Sequence, residues 1–593
     1  MIRYQIGSRL PASHYFDVSI HIDSPDPAGQ GLRLPNWIPG SYMIRDFARN
    51  LLDLRAEGPG AALAIDQVDK SNWRIEPCEG AVTVSYRIYA RDLSVRAAHL
   101  DHSHGYYNGS SVFMEVMGQA DQPCEVLIER PRADHCADWR VATSLQREQA
   151  EAFGFGFYRA LDYDDLIDHP VEMGTFRCVS FIACGVPHDI ILTGRFDCDE
   201  DRLAADLRTI CEHHIRFFGE PAPMGYYQFQ VMVIGNGYGG LEHRASTSLV
   251  TKRDSLPKPG QTDVDDDYRD FLGLCSHEYF HSWNVKRIKP EAYRPYQLQQ
   301  EVYTDLLWAF EGITSYYDDL GLLRSGLIEV EAYLELFAQV MTRVQRGRGR
   351  LRQSVAESSF NAWTKFYKQD ENATNAIVSY YAKGSLVAAC IDLKLRALSD
   401  GERGLDDVMR HLWQSYLEDG KGVEVDTIQR LVSEIAGTDL DPFLQQLIYS
   451  TDELPLVELL EEAGIEVIRR VAKNGQDKGG KDATGELPVV DLGAAFREGD
   501  GGLVVLRVSE EGALQLAGLS ADDVIIAIGG LKLSLAQLES RLLRAQPGDV
   551  WRVHAFRRDE LNEFDVTLQA AEASSFVLKV ADAERAKRAW LSV

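Results

Sequence analysis

In "FLGLCSHEYFHSWNVKRIKP", residues 271–290, His277 and His281 stand four apart and Glu278 follows the first histidine. On a helix, positions i and i+4 share a face, so two imidazoles can reach one ion and the glutamate can reach a water on it. That is the ligand pattern of a zinc hydrolase. Phe271, Leu272, Leu274, Tyr279, Phe280 and Trp283 make the segment mostly buried, and the acidic "DVDDDYRD" before it suits a helix amino terminus. The competing reading of so short a pattern is a pair of core histidines, each with its own hydrogen-bond partner.

A third ligand discriminates between them, because catalytic zinc usually takes three protein ligands and keeps one position for water. Two downstream carboxylates qualify. Glu301, in "YQLQQEVYTD", has polar neighbours and is equally well a solvated residue near a helix start. Glu311 sits in "LLWAFEGITSYY" among Leu307, Trp308, Phe310 and Ile313. There a carboxylate costs several kcal/mol of desolvation unless it is paired or bound to metal. Glu311 is therefore the favoured ligand, with one Zn2+ per chain. A second stretch, "GNGYGGLEHRASTSLV" at 235–250, carries Gly239 and Gly240 just before Glu242 and His243. Glycines let backbone approach a ligand closely, so this is an edge strand for a peptide with Glu242 facing it, or else a glycine-rich turn leading into a strand.

A chain of 593 residues, 45% of them apolar, needs several domains to hold such a site. Its 62 basic and 90 acidic side chains give a net charge of −28, which opposes nucleic acid and anionic membrane as partners. No apolar run reaches the ~18–20 residues of a membrane span, and no stretch of signal-peptide length opens the chain, so a cytoplasmic location is expected. Nine scattered cysteines fit a reducing compartment.

The expected fold is multidomain α+β. Residues 1–170 read as an N-terminal β-sandwich, from alternating stretches such as "HYFDVSIHID" and "AVTVSYRIYA". Residues 171–455 pass from short strands to long periodic helices and form the catalytic domain with a helical subdomain. A small strand-helix-strand domain occupies 456–575, with "AKNGQDKGGKDATGELP" giving a flexible loop at about 473–488, and 576–593 is left as a tail.

The ordered motifs "GGLEH", "HEYFH", "WAFEGITSYY" and "YYAKG" resemble the glycyl aminopeptidase family, gluzincin (thermolysin-like) zinc metallopeptidases with an appended PDZ domain. "WIPGSYMIRDFARN" is similar to the family's N-terminal segment, and "LGAAF" with "LAGLSADDVIIAIGG" to a bacterial-type PDZ domain. The resemblance implies that Glu242 holds the free α-amino group of a peptide. It also implies that Tyr381, or its neighbour Tyr380, stabilises the oxyanion and that small first residues, Gly or Ala, are preferred. His281 and Glu311 are separated by more residues than in better-known gluzincin aminopeptidases, which keeps Glu301 open. The PDZ-like unit would take C-terminal peptide segments by strand addition, with amides near Leu492, Gly493 and Ala494 on the carboxylate, or serve only as a lid or dimer contact.

The expected function is a zinc aminopeptidase with Glu278 as general base. A zinc endopeptidase using the same site is the first alternative, and a PDZ scaffold with an inactive peptidase body the second. "HLDHSHGYYNG" offers His99, His102 and His104, but no cysteine or carboxylate cluster completes a metal site, so a loop at the active-site mouth is expected. "CEHHIRFFG" at 211–219 reads as a helix surface.

Overall fold

The computed structural model describes residues 1–591. It divides into two compact units, Met1–Val302 with Ser415–Gly422, and Tyr303–Gln414 with the chain from Val423 onward.

In the first unit an eight-stranded sheet and two four-stranded sheets enclose one apolar core. Strand Tyr15–Ile22 buries every second residue, and Phe16, Val18, Ile20 and Ile22 face Ile88, Tyr86, Val84 and Val82 of strand Val82–Tyr89. Those apolar cross-strand pairs set the register, since a slip of one residue would turn the buried row to solvent. The sandwich runs a little past residue 170, because strand Val171–Gly174 pairs with His104–Tyr107.

A five-stranded sheet follows in the order Arg177–Ala183, Val186–Gly194, Tyr227–Ile234, Ser246–Lys252 and Gly239–Glu242. The glycine-rich segment is its edge strand, antiparallel to Ser246–Lys252 with Glu242 opposite Thr247. Helix Asp266–Phe280 begins where the Asp265 side chain accepts the Tyr268 N–H, and Asp266 and Asp267 complement its positive end. Helix Glu200–Phe218 packs on it through Phe217 and Phe218 against Phe280. His214, expected at a surface, is instead buried and within 2.8 Å of Ser276 Oγ.

The second unit is built around helix Ala382–Leu398, which is buried on almost every face. Gly312 and Gly384 let two backbones touch, since a Cβ on Gly312 would lie 2.6 Å from the Gly384 Cα. Beyond the helices, strand Ile465–Arg470 pairs with Ser575–Val580, on which helix Val330–Arg346 packs. Residues 473–480, expected to be flexible, are pinned by Arg470 on Asp477 and by the Gly480 N–H on the Phe576 carbonyl at 2.8 Å. The segment expected as a tail returns to this body as a strand and helix Ala583–Ala589, ending on Trp590, fully buried against Tyr333 and Phe337 with its indole N–H on Tyr316 Oη at 2.9 Å.

The small domain is a five-stranded sheet in sequence order from Ala494–Gly499 to Glu560–Thr567, with helix Leu535–Leu542 capped reciprocally by Ser534 and Gln537. Its core gathers Leu503, Val505, Ile525, Val553 and Val566, and Ala494–Gly499 is an edge strand open to pairing.

Candidate metal centre

The histidine pair closes the last turn of helix Asp266–Phe280, with His281 as its C-cap. Their Nε2 atoms lie 3.1 Å apart and the rings are nearly perpendicular, at 87°. That separation suits two ligands of one ion at about 2.0–2.1 Å each. The His281 Nδ1 sits 2.6 Å from the Asn284 carbonyl, so Nδ1 carries the proton and Nε2 keeps its lone pair. The donors present therefore fit a zinc-type ion.

Two carboxylates converge on the same place. Ligand atoms of Glu242, Glu278 and His281 lie within 4.8 Å of one another, and all three residues are buried. A Cβ on Gly240 would fall 2.0 Å from Glu278 Oε1, so the edge strand lies directly on that carboxylate and a larger residue would have to displace it. Gly239, by contrast, has nothing closer than the Arg96 guanidinium at 3.9 Å. Gly40, at φ +90°, presses on Glu242 in the same way: its Cβ would lie 2.5 Å from Oε2. The Oε1 of Glu242 is buried with no hydrogen-bond partner among the described residues.

Behind these groups stands a network that sequence patterns did not reveal. Asp168 Oδ1 is 2.6 Å from Lys286 Nζ and 3.3 Å from His243 Nδ1, while Oδ2 accepts the Arg244 N–H at 3.0 Å. Burial alone would raise the Asp168 carboxyl, but Lys286 and Arg244 overcome it and hold the group well below the usual carboxylate range. The Lys286 N–H in turn donates to the His281 carbonyl at 3.0 Å. One buried ion cluster thus ties the turn after Glu242 to the exit of the histidine helix. A lysine inside "HSWNVKRIKP" was the visible trace of it.

In the second unit Glu311 is 2% exposed, on a wide π-type turn Trp308–Gly312 that leads into helix Ile313–Arg324. Such turns concentrate at functional sites. Tyr380 is fully buried and Tyr381 half-buried at the start of helix Ala382–Leu398. The Tyr381 hydroxyl lies 3.5 Å from that of Tyr367. Burial, then Tyr367 and Glu311, push the Tyr380 hydroxyl far above its usual range. Glu301 is half-buried on irregular chain in the first unit.

In the small domain Leu492 is buried and Gly493 adopts φ +63°. The Gly493 N–H is already engaged by Asp491 Oδ1 at 3.1 Å, and Ala494 pairs with Val508.

Residues 3–175 match the M61 peptidase N-terminal domain, residues 270–387 the M61 glycyl aminopeptidase family and residues 490–568 a PDZ domain. Among solved structures, the chain is similar to an aminopeptidase N family protein from Idiomarina loihiensis, at 44% identity over 100% of both chains and a TM-score of 0.97. It also matches an M1 zinc metallopeptidase from Deinococcus radiodurans at 14% identity, over 77% of this chain and 94% of that one, with a TM-score of 0.46. No curated protein matches.

Proposed function

The chain belongs to the M61 glycyl aminopeptidase family and is a metalloaminopeptidase, and we propose that it removes single residues, Gly or Ala first, from the free amino terminus of peptides. The observation that carries the reading is the His277–His281 pair, its Nε2 atoms 3.1 Å apart and one ring oriented by a backbone carbonyl, beside Glu278 and Glu242. Glu311, a buried carboxylate on the turn Trp308–Gly312 beside buried Trp308, Ala309 and Phe310, is the third ligand of one zinc per chain.

Zinc held there would polarise the scissile carbonyl and bring the pKa of a water towards about 7. Glu278 takes the proton from the attacking water and passes it to the leaving amine nitrogen. Glu242 accepts hydrogen bonds from the substrate ammonium, with Gly239 and Gly240 offering the edge strand, so the enzyme counts from the peptide's end. The Tyr381 hydroxyl donates to the carbonyl oxygen as negative charge develops, an effect of order 10²–10³ in rate.

The PDZ domain would add a C-terminal peptide segment along edge strand Ala494–Gly499. A cytoplasmic location accords with nine free cysteines; no described helix is long and apolar enough to cross a membrane.

Hydrolysis of glycyl-, alanyl- and acetyl-alanyl-p-nitroanilide, with and without chelator, tests the reading. Cleavage of the first two alone, abolished by chelator, supports it. Equal cleavage of the acetylated compound indicates an endopeptidase, and no cleavage of any leaves a PDZ scaffold.

A further inference from the structure

Far from the histidine helix in sequence, the hairpin formed by strands Ala98–Leu100 and His104–Tyr107 brings His99, Asp101 and His104 together, with one ligand atom of each within 4.8 Å of the others. We propose that these three side chains form a second metal site, for a divalent transition ion of the zinc class, with a structural rather than catalytic role.

Each side chain is held by partners that leave a donor atom for an ion. His104 is 5% exposed, and its Nδ1 lies 3.2 Å from Oε1 of Glu172, itself buried on the neighbouring strand Val171–Gly174. A carboxylate on the far nitrogen is the usual companion of a metal-bound imidazole, orienting the ring and leaving Nε2 for the ion. Asp101 opens the turn between the strands. Its Oδ1 accepts from the Ser103 N–H, the Ser103 hydroxyl and the His104 N–H at 2.7, 2.6 and 3.2 Å, while Oδ2 is 3.8 Å from His99 Nε2. His99 is 2% exposed, and its Nδ1 has no hydrogen-bond partner among the described residues.

The two imidazoles are stacked, their centres 4.8 Å apart at 22°. A stacked, buried imidazole pair is an expensive arrangement unless something joins the rings. One cation competes: the Arg91 guanidinium is 3.4 Å from His99 Nε2. Arg91 is exposed on a long side chain and can turn to solvent when an ion enters. Two nitrogens and one carboxylate oxygen suit zinc better than magnesium or calcium, which prefer all-oxygen sets.

An ion there would cross-link the turn of the hairpin and, through Glu172, the strand beside it. That is the job of a structural staple in a sheet domain.

The test is zinc content of the full chain, stripped with chelator, reloaded with zinc chloride, desalted and measured by atomic emission. The wild type should hold two ions, Asp101→Asn one and His277→Ala one, and the double variant none. Asp101→Asn keeps the Oδ1 acceptor and removes only the ligand charge, so the fold is retained; His99→Gln is the second variant and should also hold one. Asp101→Asn should hydrolyse alanyl-p-nitroanilide at the wild-type rate and lose the rise in melting temperature that a second zinc equivalent gives the wild type. Wild-type zinc content in both Asp101→Asn and His99→Gln overturns the proposal, as does a wild type holding a single ion that His277→Ala removes. A zinc content unchanged by His277→Ala but lowered by Asp101→Asn would instead count against the aminopeptidase site and leave this one standing.

Discussion

Gly240 lies so close to Glu278 that a single added methyl carbon would sit 2.0 Å from the carboxylate oxygen Oε1. The edge strand and Glu278, the proposed general base, are therefore one mechanical unit. Gly240→Ala should push Glu278 aside while leaving the imidazoles of His277 and His281 in place. We expect a fall in kcat of about 10² or more, because misplacing a proton-transfer group by an ångström costs that much, with zinc content unchanged. Steady-state kinetics beside metal analysis checks it, and near-native kcat would dissociate the strand from the base.

Removing the base itself is the sharper comparison. Glu278→Gln is isosteric and keeps the buried side chain, so the protein should fold and bind zinc as before. Turnover should fall by about 10²–10⁴. A variant with near-native turnover would take Glu278 out of the proton path.

Glu242 is buried, with one oxygen lacking a partner among the described residues, and Gly40 leaves it room at 2.5 Å. Glu242→Ala should raise KM for free-amine substrates by at least about tenfold, the loss of one charge-assisted hydrogen bond of ~1.5–3 kcal/mol. Gly40→Ala should act in the same direction, by displacing the carboxylate and straining a left-handed backbone. Unchanged KM in both would remove the amino-terminal anchor from the mechanism.

Asp168 contributes through stability. Its carboxyl is held below the ordinary range by Lys286 and Arg244 against the opposing effect of burial. A carboxyl whose folded pKa is lowered stabilises the fold at pH above the unfolded value of about 4, and that contribution is lost as pH falls below it. Asp168→Asn leaves Lys286, 3% exposed, without its anion and should cost about 3–5 kcal/mol at pH 7. The gap between wild type and variant should narrow as pH falls from about 4, measured by denaturant unfolding. A constant gap would exclude the ion cluster as its cause.

The candidate site residues were legible where a local rule exposes them. His277 and His281 are spaced by one helical turn, Glu311 is costly in an apolar stretch, and Gly239 and Gly240 precede an acid. Partners that meet only after folding formed no local motif. Asp168 stands 75 positions before His243, and Gly40 reaches Glu242 only through the packed first unit. Asp101 went unread in the stretch that holds His99, His102 and His104, and the turn it opens aims its second oxygen at His99. The closing segment reads as polar, "ADAERAKRAW", and its docking depends on one aromatic, Trp590. Glycine and lysine enrichment suggested mobility at 473–488, yet Arg470 and Arg346 on Asp477, with the ion pairs Lys481–Glu335 and Lys579–Asp482, hold its first part.

The contact of the PDZ domain with the helical body allows two kinds of interaction to be ranked. Arg348 and Arg352 reach Glu511 and Glu510, each at 2.5 Å, but these pairs are largely exposed. Exposed ion pairs are worth only about 0–1 kcal/mol and weaken with salt. Asn375, 5% exposed, instead donates to the Val508 carbonyl at 2.9 Å and accepts the Glu510 N–H at 2.9 Å. Its loss leaves the half-buried Val508 carbonyl and Glu510 N–H without that partner, at about 1–3 kcal/mol where water cannot replace it. Asn375→Ala should therefore speed proteolytic release of the PDZ domain more than Arg348→Ala and Arg352→Ala combined, and its effect should persist in 0.5 M salt (about a 4–5 Å screening length), where theirs fades. Equal sensitivity to salt in all three would mean that charge, rather than the buried amide, carries the attachment.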